Sequence, residues 1–136
     1  MEQSKTFTIQ TQVDIENVRR EARAFAVGAG LDRHQTEMVV LAVSELATNL
    51  QRYASEGQIL FTRVSSEGRT GVQVQSHDQG PGIADLSLAM QDGYSTGGGL
   101  GSGLPAVDRL MDEFEIDSGP EGTTVTARKW TTSPTA

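Results

Sequence analysis

The chain has 136 residues, with 11 Lys and Arg against 18 Asp and Glu, a formal net charge of -7. That balance opposes a nucleic-acid binder, which needs a basic face to neutralise phosphates, and the lack of cysteine excludes disulfides and thiolate-held zinc. The length suits a single domain with its own core. The longest apolar run, "MVVLAV" at 38–43, is far short of a membrane span. The N-terminus "MEQSKTFTIQ" has no signal-peptide core, so a cytoplasmic location with no membrane or nucleic-acid partner is expected.

Phe7, Ile9, Thr11 and Val13 alternate with polar neighbours and predict a first strand. Asp14 then caps a helix with Ile15, Val18, Ala22, Phe25 and Ala26 on one side, ended by Gly28 and Gly30. Asp32, with Gln35 three residues later, predicts a capping box for a second helix that runs to about Tyr53. The segments "QILFTRV" (58–64) and "GVQVQSH" (71–77) read as a hairpin. Eight of the fifteen glycines fall between Gly80 and Gly103, which marks that stretch as loop. A third helix begins near Leu104, with Pro105 in its first turn and Val107, Leu110, Met111 and Phe114 on its core face. The chain closes with a second hairpin, "EFEIDSG" and "GTTVTARKW", turning between Gly119 and Gly122.

This order predicts a two-layer α/β (α+β) sandwich, a mixed, mostly antiparallel sheet with helices on one face. One domain is expected over residues 1–130, with a loose tail at 131–136.

Four stretches invite a chemical reading. In "SELATN", Glu45 and Asn49 are one turn apart on one helix side. They fall within the apolar arc of Met38, Leu41, Ala42, Leu46, Leu50 and Tyr53, where a carboxylate needs a partner, water or a ligand. In "DQGPGI", Asp78 follows a strand that alternates through Val72, Val74 and Ser76. It is either a turn residue or an acceptor for a ligand's amine. The glycines of "TGGGLGSGLPAVDRL" are either a linker or backbone that comes close to phosphate oxygens at a helix start. No Gly-Lys-Ser/Thr follows, so it is not a Walker A loop. The last stretch, "GTT" at 122–124, offers hydroxyls for a base edge or a bridging water. His34 and His77 form no ligand cluster and read as structural or exposed.

Taken in order, Glu45 to Asn49, Asp78 to Gly82, Gly97 to Gly103 and Gly122 to Thr124 resemble the ATP-binding domain of histidine kinases, gyrase-type ATPases, chaperones and anti-sigma-factor kinases. That family is the GHKL group, with the Bergerat-type fold. The finer pattern, "SELATN", "DQGPGI", "DGYSTGGGLGSGLPAVDRLMDEF" and "ARKW", resembles the RsbT-type switch kinases of the bacterial stressosome.

The resemblance implies ATP or ADP with Mg²⁺ as cofactors, and it implies roles. Asn49 would ligate Mg²⁺ through its side-chain oxygen. Glu45 would accept the proton of the attacking hydroxyl. Asp78 would accept from the adenine amine, with Gly80 and Gly82 letting the backbone approach the base. Gly97, Gly98, Gly99, Leu100, Gly101, Ser102, Gly103 and Leu104 would form the phosphate-holding lid. Thr123 and Thr124 would bond the base or a bridging water. The implied substrates are STAS-domain scaffold proteins, phosphorylated on serine or threonine, and the implied second partner is a metal-dependent protein phosphatase activated by the kinase. The other function open to the sequence is a nucleotide-holding anti-sigma or partner-switch module with little or no kinase activity. An ATP-hydrolysing clamp is disfavoured by the length, and a histidine-kinase fragment by the lack of a phosphoacceptor helix.

Overall fold

Strands and helices run in the order β1 (Ser4–Ile9), α1 (Gln12–Gly28), α2 (Arg33–Tyr53), β2 (Gly57–Ser66), β3 (Arg69–Asp78), α3 (Gly103–Leu110), β4 (Glu113–Gly119) and β5 (Gly122–Trp130). The computed structural model describes residues 4–53, 57–78, 103–120 and 122–131. The strands form one five-stranded sheet in the order β1-β2-β3-β5-β4. Every pairing in it is antiparallel, so the expectation of a mixed sheet is corrected. Alternation along the strands divides the sheet cleanly. Ile59, Phe61, Val72, Val74, Val125 and Ala127 are buried toward the helices. The opposite face carries Gln73, Gln75, Thr126 and Arg128, which bond to one another across strands.

The chain leaves β1 earlier than its alternation suggests. Thr11, not Asp14, is the N-cap of α1: its side chain accepts from the Asp14 backbone N–H at 3.3 Å. Asp14 stands three residues on and accepts from the N–H groups of Gln10 and Thr11 at 2.9 and 3.0 Å. This reciprocal pair bends the chain into the helix. Val13, expected in the strand, is consequently 60% exposed on α1.

At the other end of α1, Gly30 adopts φ +93, and Leu31 and Gly30 donate to Ala26 and Val27 at 3.1 and 3.0 Å. That is a Schellman close, which favours glycine at the left-handed position. The expected Asp32–Gln35 capping box forms, with bonds of 2.8 and 3.1 Å. The β2–β3 turn is two residues, Glu67 and Gly68, both at positive φ (52 and 80), as the twist of a tight hairpin requires.

Phe61 is fully buried between Phe7 and Phe25, with ring centroids 5.6 and 5.7 Å away. A side chain of this kind contributes about 2–3 kcal/mol of burial. Val39, Val43, Leu46, Ala47 and Leu50 form the buried side of α2. Helix α3 ends at Leu110, because Asp112 N turns to bond Arg128 O at 2.9 Å. Phe114 therefore belongs to β4 and not to the helix face predicted for it. Thr131, expected in the tail, is buried and donates its N–H to Thr70 O at 2.9 Å. The rest of the tail, 132–136, lies outside the described residues.

Candidate functional site

One cross-strand row closes the end of the sheet: Ile9, Gly57, Asp78, Thr123 and Ser118 are register partners in turn. Ile9 and Gly57 are ordinary, but the three on β3, β5 and β4 are polar. Asp78 continues the alternation of buried Val72, Val74 and Ser76, so it lies on the helix-facing side and is half-buried. Thr123 is buried beside it and shares a 2.8 Å hydrogen bond between its Oγ1 and Ser118 Oγ. A sheet would ordinarily fill such positions with apolar side chains. A carboxylate and two hydroxyls at this place offer one anionic acceptor and reorientable donors.

Thr124 points the other way. It lies on the far face of the sheet, and its Oγ1 is 2.8 Å from Nδ1 of the exposed His77. Thr123 and Thr124, paired by the sequence reading, are thus on opposite faces. Ser118 was missed, although the alternation Phe114, Ile116, Ser118 in β4 carries the signal for it.

Helix α2 reaches this row through Leu50. A Cβ built on Gly57 would stand 2.8 Å from Leu50 Cδ2, so the helix turn bearing Leu50 and Asn49 rests on the strand that pairs with Asp78. Glu45 and Asn49 are half-buried. They border the buried arc and are not within it, since Leu41, assigned to that arc by periodicity, is 51% exposed. The arc is centred on Val43, Leu46 and Leu50, which turns Glu45 and Asn49 to its edge. Such an edge lets a polar side chain meet a ligand without full desolvation.

Helix α3 packs against α2. Gly103 opens it, with no atom of the described residues beyond its own helix and chain neighbours within 4 Å of where a Cβ would stand, and Leu104 is buried. Gly80, Gly82, Gly97, Gly98, Gly99, Leu100, Gly101 and Ser102 lie outside the described residues. Among the described residues no group of three or more His, Asp or Glu could hold a metal ion, and no helix is long and apolar enough to cross a membrane.

A helix with Glu45 and Asn49 at its edge, laid over an antiparallel sheet that ends in Asp78 and Thr123, is the frame of a nucleotide-binding domain of the Bergerat type. The chain matches the Histidine kinase-like ATPase domain over residues 9–129 and belongs to that family. It is 45% identical over 123 residues to the serine/threonine-protein kinase RsbT of Bacillus subtilis (strain 168), covering 90% of this chain and 92% of that one. It is also 35% identical over 106 residues to the anti-sigma F factor of Bacillus licheniformis, covering 71% and 72% of the two chains. Among solved structures, the RsbU and RsbW domains of a Mycobacterium tuberculosis protein align with a TM-score of 0.65 at 21% identity. That alignment takes in 98% of this chain but spans about a third (34%) of the other. The mycobacterial sensor histidine kinase MprB aligns with a TM-score of 0.56 at 16% identity, over 96% and 97% of the two chains. Both structural likenesses speak to the fold.

Proposed function

We propose that this protein is an ATP- and Mg²⁺-dependent serine/threonine protein kinase of the partner-switching type. It acts on STAS-domain scaffold proteins and activates a protein phosphatase when released from them. The observation that carries the reading is the placement of Asp78 and Thr123 side by side on the row whose Gly57 packs against the turn of α2 that holds Leu50 and Asn49. The likeness to RsbT over nine-tenths of the chain supports the choice of a kinase over a pure binding module.

The residues present fit a nucleotide with its cation. Asp78 accepts a hydrogen bond from the 6-amine of adenine, where guanine presents a carbonyl oxygen that a carboxylate cannot bond. Thr123 and Ser118 supply hydroxyls on the same side. Asn49 offers an amide oxygen, and one protein ligand is sufficient for Mg²⁺, which takes the rest of its shell from phosphates and water. When bound, the cation neutralises charge on the transferring phosphoryl group. Glu45, one turn before Asn49, accepts the proton of the incoming serine or threonine hydroxyl, directly or through a water. A module that only held nucleotide would have no use for a base at that edge.

The test is transfer of labelled phosphate from ATP to STAS-domain proteins with Mg²⁺ present, comparing wild type with Glu45→Gln. The expected result is phosphoserine or phosphothreonine with wild type and ~10²-fold or more loss in the variant, at unchanged ATP affinity. ATP binding without any transfer to any such protein would favour the binding-module reading.

A further inference from the structure

Lys129 is a buried charge that the proposed chemistry leaves unused. Its side chain is 8% exposed, and it follows Val125 and Ala127 on the helix-facing side of β5. Lysine is rarely buried to this degree unless paired. Here Nζ donates to Leu110 O, the last residue of α3, at 2.8 Å, and to Asp112 Oδ1 at 3.3 Å. The second oxygen of Asp112 accepts the Trp130 N–H at 2.8 Å, and the Asp112 N–H donates to Arg128 O at 2.9 Å. The end of α3 is thus tied to three successive residues of β5. Trp130 O in turn accepts from Gln35 Nε2 at 2.7 Å, which joins the start of α2 to the same knot.

Stability does not explain this arrangement. Withdrawing an ammonium from water costs several kcal/mol, and apolar residues of similar volume often serve as well or better. A helix C-terminus does favour a cation, but an exposed one would serve. What a buried, directional ammonium adds is a fixed bearing for the helix it holds.

We propose that Lys129, acting with Asp112, is a positioning residue for the nucleotide site: it sets the direction of α3 and so the place of Gly103 and Leu104 relative to Thr123. This rests on the nucleotide reading above. Lys129 and Thr123 lie at opposite ends of β5, and Leu110 and Gly103 at opposite ends of α3. An eight-residue helix is about 12 Å long, so a small tilt at Leu110 becomes a displacement on the order of an ångström at Gly103. Errors of about that size are enough to cost up to ~10²-fold in a positioned site.

The chain has no cysteine, which permits a clean test. Mg²⁺-ATP affinity is measured by calorimetric titration for wild type, Lys129→Met and Lys129→Cys, alongside Tm. The Lys129→Cys variant is also aminoethylated in denaturant and refolded, which rebuilds an ammonium on a side chain of nearly native length. The expected result is about tenfold weaker ATP binding in both variants and return to wild-type affinity after aminoethylation. A change in Tm with unaltered ATP affinity, or weakened affinity that aminoethylation does not restore, overturns the proposal. Should neither Lys129 variant fold, Asp112→Asn keeps an oxygen for the Trp130 N–H and removes both the counter-charge and the acceptor that faces Lys129 Nζ. Weakened ATP binding there supports the proposal, and unchanged binding overturns it. Wild type that binds no ATP overturns the nucleotide reading itself and the proposal with it, whereas normal wild-type binding with indifferent variants removes the proposal alone.

Discussion

Leu50 of α2 lies so near Gly57 of β2 that a Cβ at position 57 would stand 2.8 Å from Leu50 Cδ2 and 2.9 Å from Leu50 Cβ. The second distance matters more, because a Cβ cannot swing away from its backbone. Helix and strand approach this closely only without a side chain at position 57, on the row that carries Asp78.

Gly57→Ala should therefore push the end of α2 off the sheet. The expected loss is about 1–3 kcal/mol of stability, read as a shift of the urea midpoint. ATP affinity should fall with it, since Asn49 and Asp78 separate. Gly119→Ala is the control: among the described residues nothing but its chain neighbours lies within 4 Å of its Cβ position, and it should change neither quantity appreciably. Equal behaviour of the two variants would remove the close approach as the link between α2 and the row.

The two faces of β5 give a second contrast. Asp78→Asn and Thr123→Val alter the helix-facing side, whereas Thr124→Val alters the far side, where Thr124 Oγ1 meets His77 Nδ1 at 2.8 Å. The first two should weaken ATP about tenfold, the loss of a hydrogen bond to or beside a charged group. Thr124→Val should leave it within roughly twofold. Titration of the three variants with ATP and GTP decides the matter, and wild type that binds GTP as well as ATP would discard Asp78 as the adenine contact.

Asn49→Ala addresses the cation. Wild-type ATP affinity should rise with Mg²⁺ and fall when a chelator is added, and the variant should lose most of that dependence while folding normally. The substitution lies at the half-buried edge of α2, where alanine is a better helix former than asparagine. A variant with full magnesium dependence would move the ligand elsewhere.

Much of this frame was legible in the sequence, for identifiable reasons. The Asp32–Gln35 box, both hairpins and the helix-facing parity of Asp78 follow from local chemistry and alternation. The errors arose where a neighbour took over. Alternation ran on through Thr11 and Val13, but the Asp14 carboxylate turned the backbone at Gln10 and Thr11. Period alone put Leu41 in the core, yet the packing of α1 and α3 on α2 fixed the buried arc and left Leu41 half in solvent. Gly57 carried no such signal, and Lys129 only its place in "ARKW" and its parity after Val125 and Ala127. Their meaning lies in contacts with Leu50 and Leu110, which only the tertiary structure supplies.

Acid should expose a different set of interactions. The Glu113 carboxyl is held below its ordinary value first by the Trp130 Nε1–H, at 2.6 Å, and then by Arg128. The Glu37 carboxyl is lowered chiefly by its hydrogen bonds from Arg23, at 2.8 and 3.1 Å, and Asp14 by the backbone N–H groups of Gln10 and Thr11. A carboxyl lowered in the folded state binds fewer protons there than when unfolded. Its contribution is complete above the unfolded value of about 4.3 for Glu and is lost as pH falls through the folded one. Glu113→Gln should thus be less stable than wild type at pH 7, with the gap closing as the pH is lowered through the carboxylate range. Arg23→Gln should behave likewise through Glu37, and its gap should also shrink in high salt, because that pair is half exposed on both sides (50%/50%). Thermal melts from neutral to acid pH measure both. A Glu113→Gln gap that stays constant, or widens toward acid, would mean that the Trp130 bond stabilises by packing and not by favouring the charged carboxylate.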